Sequence, residues 1–93
     1  MATKYHNLSE YNPEDLPKKE ELIDTRIAII ASDWNSDITY ALRDGAYDAL
    51  IENGIQEKNV EIFHVPGAFE LTYAASKLAK TQKFDAIIAI GCV

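Results

Sequence analysis

With 93 residues, 47% of them apolar, the chain has room for one small globular domain, near the lower limit at which a single core holds without a partner subunit. Its net charge of -6 and isoelectric point near 4.7 exclude the clustered lysine and arginine that nucleic acid or an acidic membrane surface requires. One cysteine, Cys92, and two distant histidines, His6 and His64, rule out an internal disulfide and zinc-type spacing, so a reducing cytoplasm is the compartment that fits.

Residues 1–24 are polar and punctuated by Asn12, Pro13 and Pro17, and they read as an N-terminal arm. The arm has no apolar h-region, and nothing in the chain approaches the roughly 18 apolar residues of a membrane span. Its sizeable apolar or aromatic groups, Tyr5, Leu8, Tyr11, Leu16, Leu22 and Ile23, are too few to pack alone. It is either disordered or laid along another subunit.

Residues 25–93 form the domain. From Ile27 to Ala31 the run is continuously apolar, the pattern of a strand buried on both faces of a parallel sheet. A helix follows, N-capped by Ser36 or Asp37 and ended by Asn53-Gly54. Its expected inner stripe is Ile38, Ala41, Leu42, Gly45, Ala46, Ala49 and Leu50, and Gly45 there predicts a close approach of helix to sheet. Val60 to Val65 is the second strand, Ala68 to Lys80 the second helix, buried through Leu71, Ala75, Leu78 and Ala79, and Ala86 to Ile90 the third strand.

This βαβαβ order predicts an α/β fold in three layers, a parallel sheet with right-handed crossovers and helices on its faces. The loops Ser32 to Asp37, Pro66 to Glu70 and Gly91 onward then emerge together at the carboxyl edge, where open α/β sheets bind ligands. A strand order of 2-1-3 would set the first and third loops at the switch point. The alternation is incomplete, because DAIIAIGCV is a buried-type strand with no element after it, so a fragment or truncation of a longer chain is expected.

Four groups in those loops could carry chemistry. Trp34, in SDWNSD, is either a platform for a planar heterocycle or a hydrophobe that anchors its loop. Gly67-Ala68-Phe69-Glu70 could offer helix-start N–H groups to ligand oxygens, or it could be simple capping, with Glu70 at N3 of a helix capped by Gly67. His64 has no visible acidic or nucleophilic partner and reads as structural. Cys92 reads as a small buried hydrophobe, with no neighbouring base or cation to activate it. No GxGxxG, P-loop, GxSxG or HExxH motif occurs.

Taken together, RIAIIASDWNSDITYALRDGAYDALIENGI, NVEIFHVPGAFELTYAASKLA and FDAIIAIGCV resemble the lumazine synthase family of riboflavin biosynthesis. The resemblance covers Arg26 to Val93, and VPGAFE followed by FDAIIAIGCV is its most specific element. It implies a flavodoxin-like sheet and an enzyme that condenses 5-amino-6-ribitylaminopyrimidinedione with 3,4-dihydroxy-2-butanone 4-phosphate, releasing phosphate and water. No metal and no redox cofactor are implied, and the partners are small-molecule substrates and further copies of the chain in a homopentamer or its multiples.

Carried over by resemblance, Trp34 stacks on the pyrimidine, Ala68, Phe69 and Glu70 hold the ribityl chain, and the loop of Cys92 and Val93 contacts the pyrimidine through its backbone. The family's phosphate-binding residues and catalytic histidine follow the strand that here ends GCV, so His64 is not that histidine. The resemblance thus implies no catalytic residue among these positions and no turnover by the 93 residues alone. A non-catalytic flavodoxin-like binding or assembly module is the alternative, although a receiver-type acidic site would need an aspartate where the third strand ends in Gly91-Cys92.

Overall fold

The computed structural model describes residues 13–93. Of the arm expected over 1–24, the stretch 1–12, with Tyr5, Leu8 and Tyr11, lies outside the described residues. Two short 3-10 turns, Pro13–Asp15 and Lys19–Leu22, lead into the sheet, and Leu22 packs on the core made by Ile27, Ile29 and Ile55.

Three strands follow, β1 (Ile27–Ser32), β2 (Val60–Val65) and β3 (Ala86–Ile90), separated by two helices, α1 (Ser36–Glu52) and α2 (Phe69–Thr81). All pairing is parallel, in the order β2-β1-β3. This is the α/β fold expected from the alternation, and its order is the 2-1-3 that sets the first and third loops at the switch point. In register, Ile27 sits between Val60 and Ala86, and Ala31 between His64 and Ile90.

Every residue of β1 is buried, whereas β2 and β3 mix half-buried with exposed positions. The reason is topological. A right-handed crossover from β1 to β2 and another from β2 back across β1 to β3 put α1 and α2 on opposite faces, so the central strand is covered twice. Its continuous Ile-Ala-Ile-Ile-Ala run is the composition that such a place selects.

The structure corrects several expectations in detail. The cap of α1 is Asn35, in the left-handed region at φ 59°, rather than Ser36 or Asp37. Asparagine tolerates that conformation better than most residues. The α1 stripe also splits: Ala46 and Leu50 pack on the core, but Ile38 and Leu42 are about half exposed and Ala41 and Gly45 lie outside. Thr39 turns inward instead, fully buried, its hydroxyl donating to the carbonyl of Ser32 at 2.7 Å. That bond sets the helix rotation, since a buried carbonyl at a strand end needs a donor.

Gly45, the third correction, approaches nothing: a Cβ built there meets no atom within 4 Å. Close approach occurs at Gly91, where a Cβ would come within 2.7 Å of Leu71 Cδ1 and 3.3 Å of the Ala68 Cβ. On α2, the half-buried positions are Leu71, Ala74, Ala75 and Leu78, while Ala79, expected inside, is exposed. One turn of α2 thus leans on the end of β3.

Candidate functional site

The three loops at the carboxyl edge are tied to one another by hydrogen bonds that extend the sheet past its last pairs. The Asp33 N–H donates to Val65 O at 2.8 Å and the Trp34 N–H to Pro66 O at 3.0 Å, which joins the first loop to the second. Asn35 spends its side chain on the third loop rather than on capping its own helix: Nδ2 lies 3.5 Å from Cys92 Sγ. Asn35 was no candidate in the sequence, because only the fold brings residue 92 beside it.

Between these loops lies an open cleft of about 600 Å3 lined by Trp34, Gly67, Ala68, Phe69, Glu70, Thr72, Cys92 and Val93. The structure therefore brings all six candidate residues, Trp34, Ala68, Phe69, Glu70, Cys92 and Val93, to one place. Thr72 joins them unforeseen, although its position one helical turn after Ala68 was the available signal. Trp34 is 64% exposed and Phe69 97%. Neither ring is part of the core.

Helix α2 begins one residue later than expected, although Ala68 already has helical angles (φ -61°, ψ -29°). The Glu70 and Leu71 N–H groups donate back to Gly67 O and Ala68 O, both at 3.2 Å, so the first turn is tight. The Glu70 carboxylate folds back over the turn, with Oε2 3.5 Å from where a Cβ on Gly67 would stand. The N-cap position is Ala68, which makes no side-chain cap bond. An uncapped helix start, a flanking carboxylate and two exposed aromatic faces can together hold a planar ring with a hydroxylated tail: donors and acceptors for the tail, π-surface for the ring. Gly91 lets the end of β3 approach the first turn of α2, since any side chain there would displace Leu71.

Next to the cleft, Asp33, Tyr40 and His64 form a polar cluster that no local pattern foretells. Asp33 Oδ1 accepts from the Tyr40 hydroxyl at 2.7 Å and from His64 Nδ1 at 3.0 Å, so His64 does have an acidic partner. The Tyr40 bond is the main cause holding the Asp33 carboxyl below its ordinary pKa, and the same bond pushes the Tyr40 hydroxyl up. Among the described residues, no three His, Cys, Asp or Glu side chains gather as a metal site, and no helix is long and apolar enough to cross a membrane.

Comparison with known proteins matches residues 24–93 to the family model of 6,7-dimethyl-8-ribityllumazine synthase. A 6,7-dimethyl-8-ribityllumazine synthase of Porphyromonas gingivalis is 50% identical over all 93 residues, which cover 56% of that protein. Those of Phocaeicola vulgatus and Parabacteroides distasonis are 45% and 43% identical, again over the whole chain, which covers 54% and 56% of them. The chain spans about half the length of the curated relatives it matches. A match over residues 24–93, most of its length, makes this chain a member of the 6,7-dimethyl-8-ribityllumazine synthase family.

Proposed function

We propose that the cleft is the pyrimidine and ribityl half of a lumazine synthase active site, serving the condensation of 5-amino-6-ribitylaminopyrimidinedione with 3,4-dihydroxy-2-butanone 4-phosphate in riboflavin biosynthesis. The observation that carries this reading is the convergence of Trp34, Ala68, Phe69, Glu70, Cys92 and Val93 on one carboxyl-edge cleft. Trp34 provides the face for the ring. Glu70 accepts from ribityl hydroxyls, the N–H groups at the start of α2 donate to ribityl oxygens, and the backbone after β3 meets the polar edge of the pyrimidine. No catalytic role is assigned to these side chains: proton transfer and phosphate binding fall to groups other than these.

The reading is tested by the affinity of a non-reactive ribitylaminopyrimidine analogue. Trp34→Ala should weaken binding about tenfold or more through lost stacking, and Glu70→Gln by about tenfold through lost charge-assisted hydrogen bonds. Unchanged affinity in both variants sinks the assignment.

The proposal extends to assembly and location. Phe69, at 97% exposure, and an open cleft are supports for a homo-oligomer, a pentamer, in which a neighbouring copy closes the site. A monomer in sedimentation velocity would overturn it. The lone free thiol, Cys92, accords with a cytoplasmic setting.

A further inference from the structure

His64 lies one residue before the Val65 carbonyl that receives the Asp33 N–H, and its imidazole spans two groups of opposite character. Nδ1 is 3.0 Å from Asp33 Oδ1, and Nε2 is 3.2 Å from Arg43 Nη1. A guanidinium only donates, so Nε2 must accept and carries no proton; the imidazole proton then sits on Nδ1 and is donated to the carboxylate. The two contacts together specify one neutral tautomer.

The remaining groups around the ring hold it in that role. Tyr40 meets it edge-on, with ring centroids 5.2 Å apart, and donates to the same Asp33 oxygen at 2.7 Å. Arg43 lies 4.3 Å over the Tyr40 ring and sends Nε to Asp44 at 3.0 Å. Asp33, Tyr40, Arg43 and, through Arg43, Asp44 are thus the charged and titratable neighbours, drawn from the first loop and from α1.

The position of this cluster matters because the sheet ladder ends there. After Ser32↔Val65 only two backbone bonds, from Asp33 and Trp34, still join the loops, and Asn35 then turns the chain at φ 59°. We propose that His64, as the Nδ1–H tautomer between Asp33 and Arg43, is a positioning residue that braces the Trp34 loop and so fixes the aromatic wall of the cleft. The relevance to substrate rests on the reading of Trp34 given above, but the brace itself is tested without any ligand.

The first test is 15N NMR of the imidazole in this chain at neutral pH, where the spectrum should show a protonated Nδ1 and an unprotonated Nε2. The second is amide hydrogen exchange at Asp33 and Trp34. Exchange should quicken about fivefold in His64→Leu, the opening expected when one net hydrogen bond is lost. It should stay near the wild-type rate in His64→Asn, whose amide can still donate to Asp33. Amides of Ile29 and Ile30 serve as the control for global stability.

An Nε2–H tautomer overturns the proposal, and so does loop exchange that ignores His64→Leu or is as fast in His64→Asn as in His64→Leu. If His64→Leu does not fold, Arg43→Met takes its place: it should let the imidazole mix tautomers, and an unchanged spectrum counts against the brace. Loss of analogue binding in Trp34→Ala with no His64 effect would retain the site and remove the brace; the converse would retain the brace and remove the site.

Discussion

Thr39 and Ser32 show how one hydroxyl orients a helix. Both are fully buried, and the Thr39 Oγ1 donates to the strand-end carbonyl of Ser32. Thr39→Val keeps the volume and removes the donor, so it should destabilise the chain by about 1–3 kcal/mol in urea unfolding, the cost of a buried unsatisfied acceptor. A change under about 0.5 kcal/mol would mean that the hydroxyl does not set the rotation of α1. Ser32 Oγ, by contrast, finds no partner among the described residues, and nothing in the structure explains its retention. At this scale the sequence was a poor guide: Thr39 is absent from the inner stripe expected of α1, and the Ser32 carbonyl seven positions earlier is what it meets inside.

At the scale of elements, the two helices are held by different means, and two glycines separate them. Gly45 lies exposed in the interior of α1 with open space around it, so it contributes only its entropic penalty. Gly45→Ala should therefore stabilise this chain by about 0.5–1 kcal/mol and raise the thermal midpoint. Gly91 is the opposite case. A methyl there meets Leu71 at 2.7 Å and Ala68 at 3.3 Å, and Gly91→Ala should both lower the midpoint and displace the first turn of α2, weakening analogue binding. A midpoint that falls in Gly45→Ala or is unmoved in Gly91→Ala would refute the respective account. The outward stripe of Ile38, Ala41, Leu42 and Gly45 explains why periodicity misled: the apolar arc of α1 is wider than the sheet face it covers, and a moment calculated from sequence cannot say which edge of the arc stays outside.

For the whole molecule, the arrangement predicts a gradient of local stability centred on β1. That strand bonds on both edges and is covered on both faces, while β2 and β3 each pair on one side. Hydrogen exchange should be slowest at Ile29 and Ile30 and fastest in the loops around Trp34 and Gly67, by several orders of magnitude; comparable protection of β3 and β1 would contradict it. What was legible beforehand follows the range of the interactions involved. The five core elements, the 2-1-3 possibility and the loops at the cleft could be read because apolar runs, turn dipeptides and the HVPGAFE and SDWNSD stretches are local signals, and right-handed crossovers convert their order into one sheet edge; the individual cleft residues came from the family resemblance. The partner of His64, the Asn35 to Cys92 contact and the close approach at Gly91 could not, because each joins residues distant in the chain, Asp33 to His64 across 31 positions and Asn35 to Cys92 across 57. The sequence by itself determined the elements, their alternation and the loops that line the cleft; tertiary structure alone decided which face of α1 turns inward, which groups flank the two nitrogens of His64 and where a glycine is required. Those three depend on the distance between atoms of different elements, and no periodicity along one chain contains it.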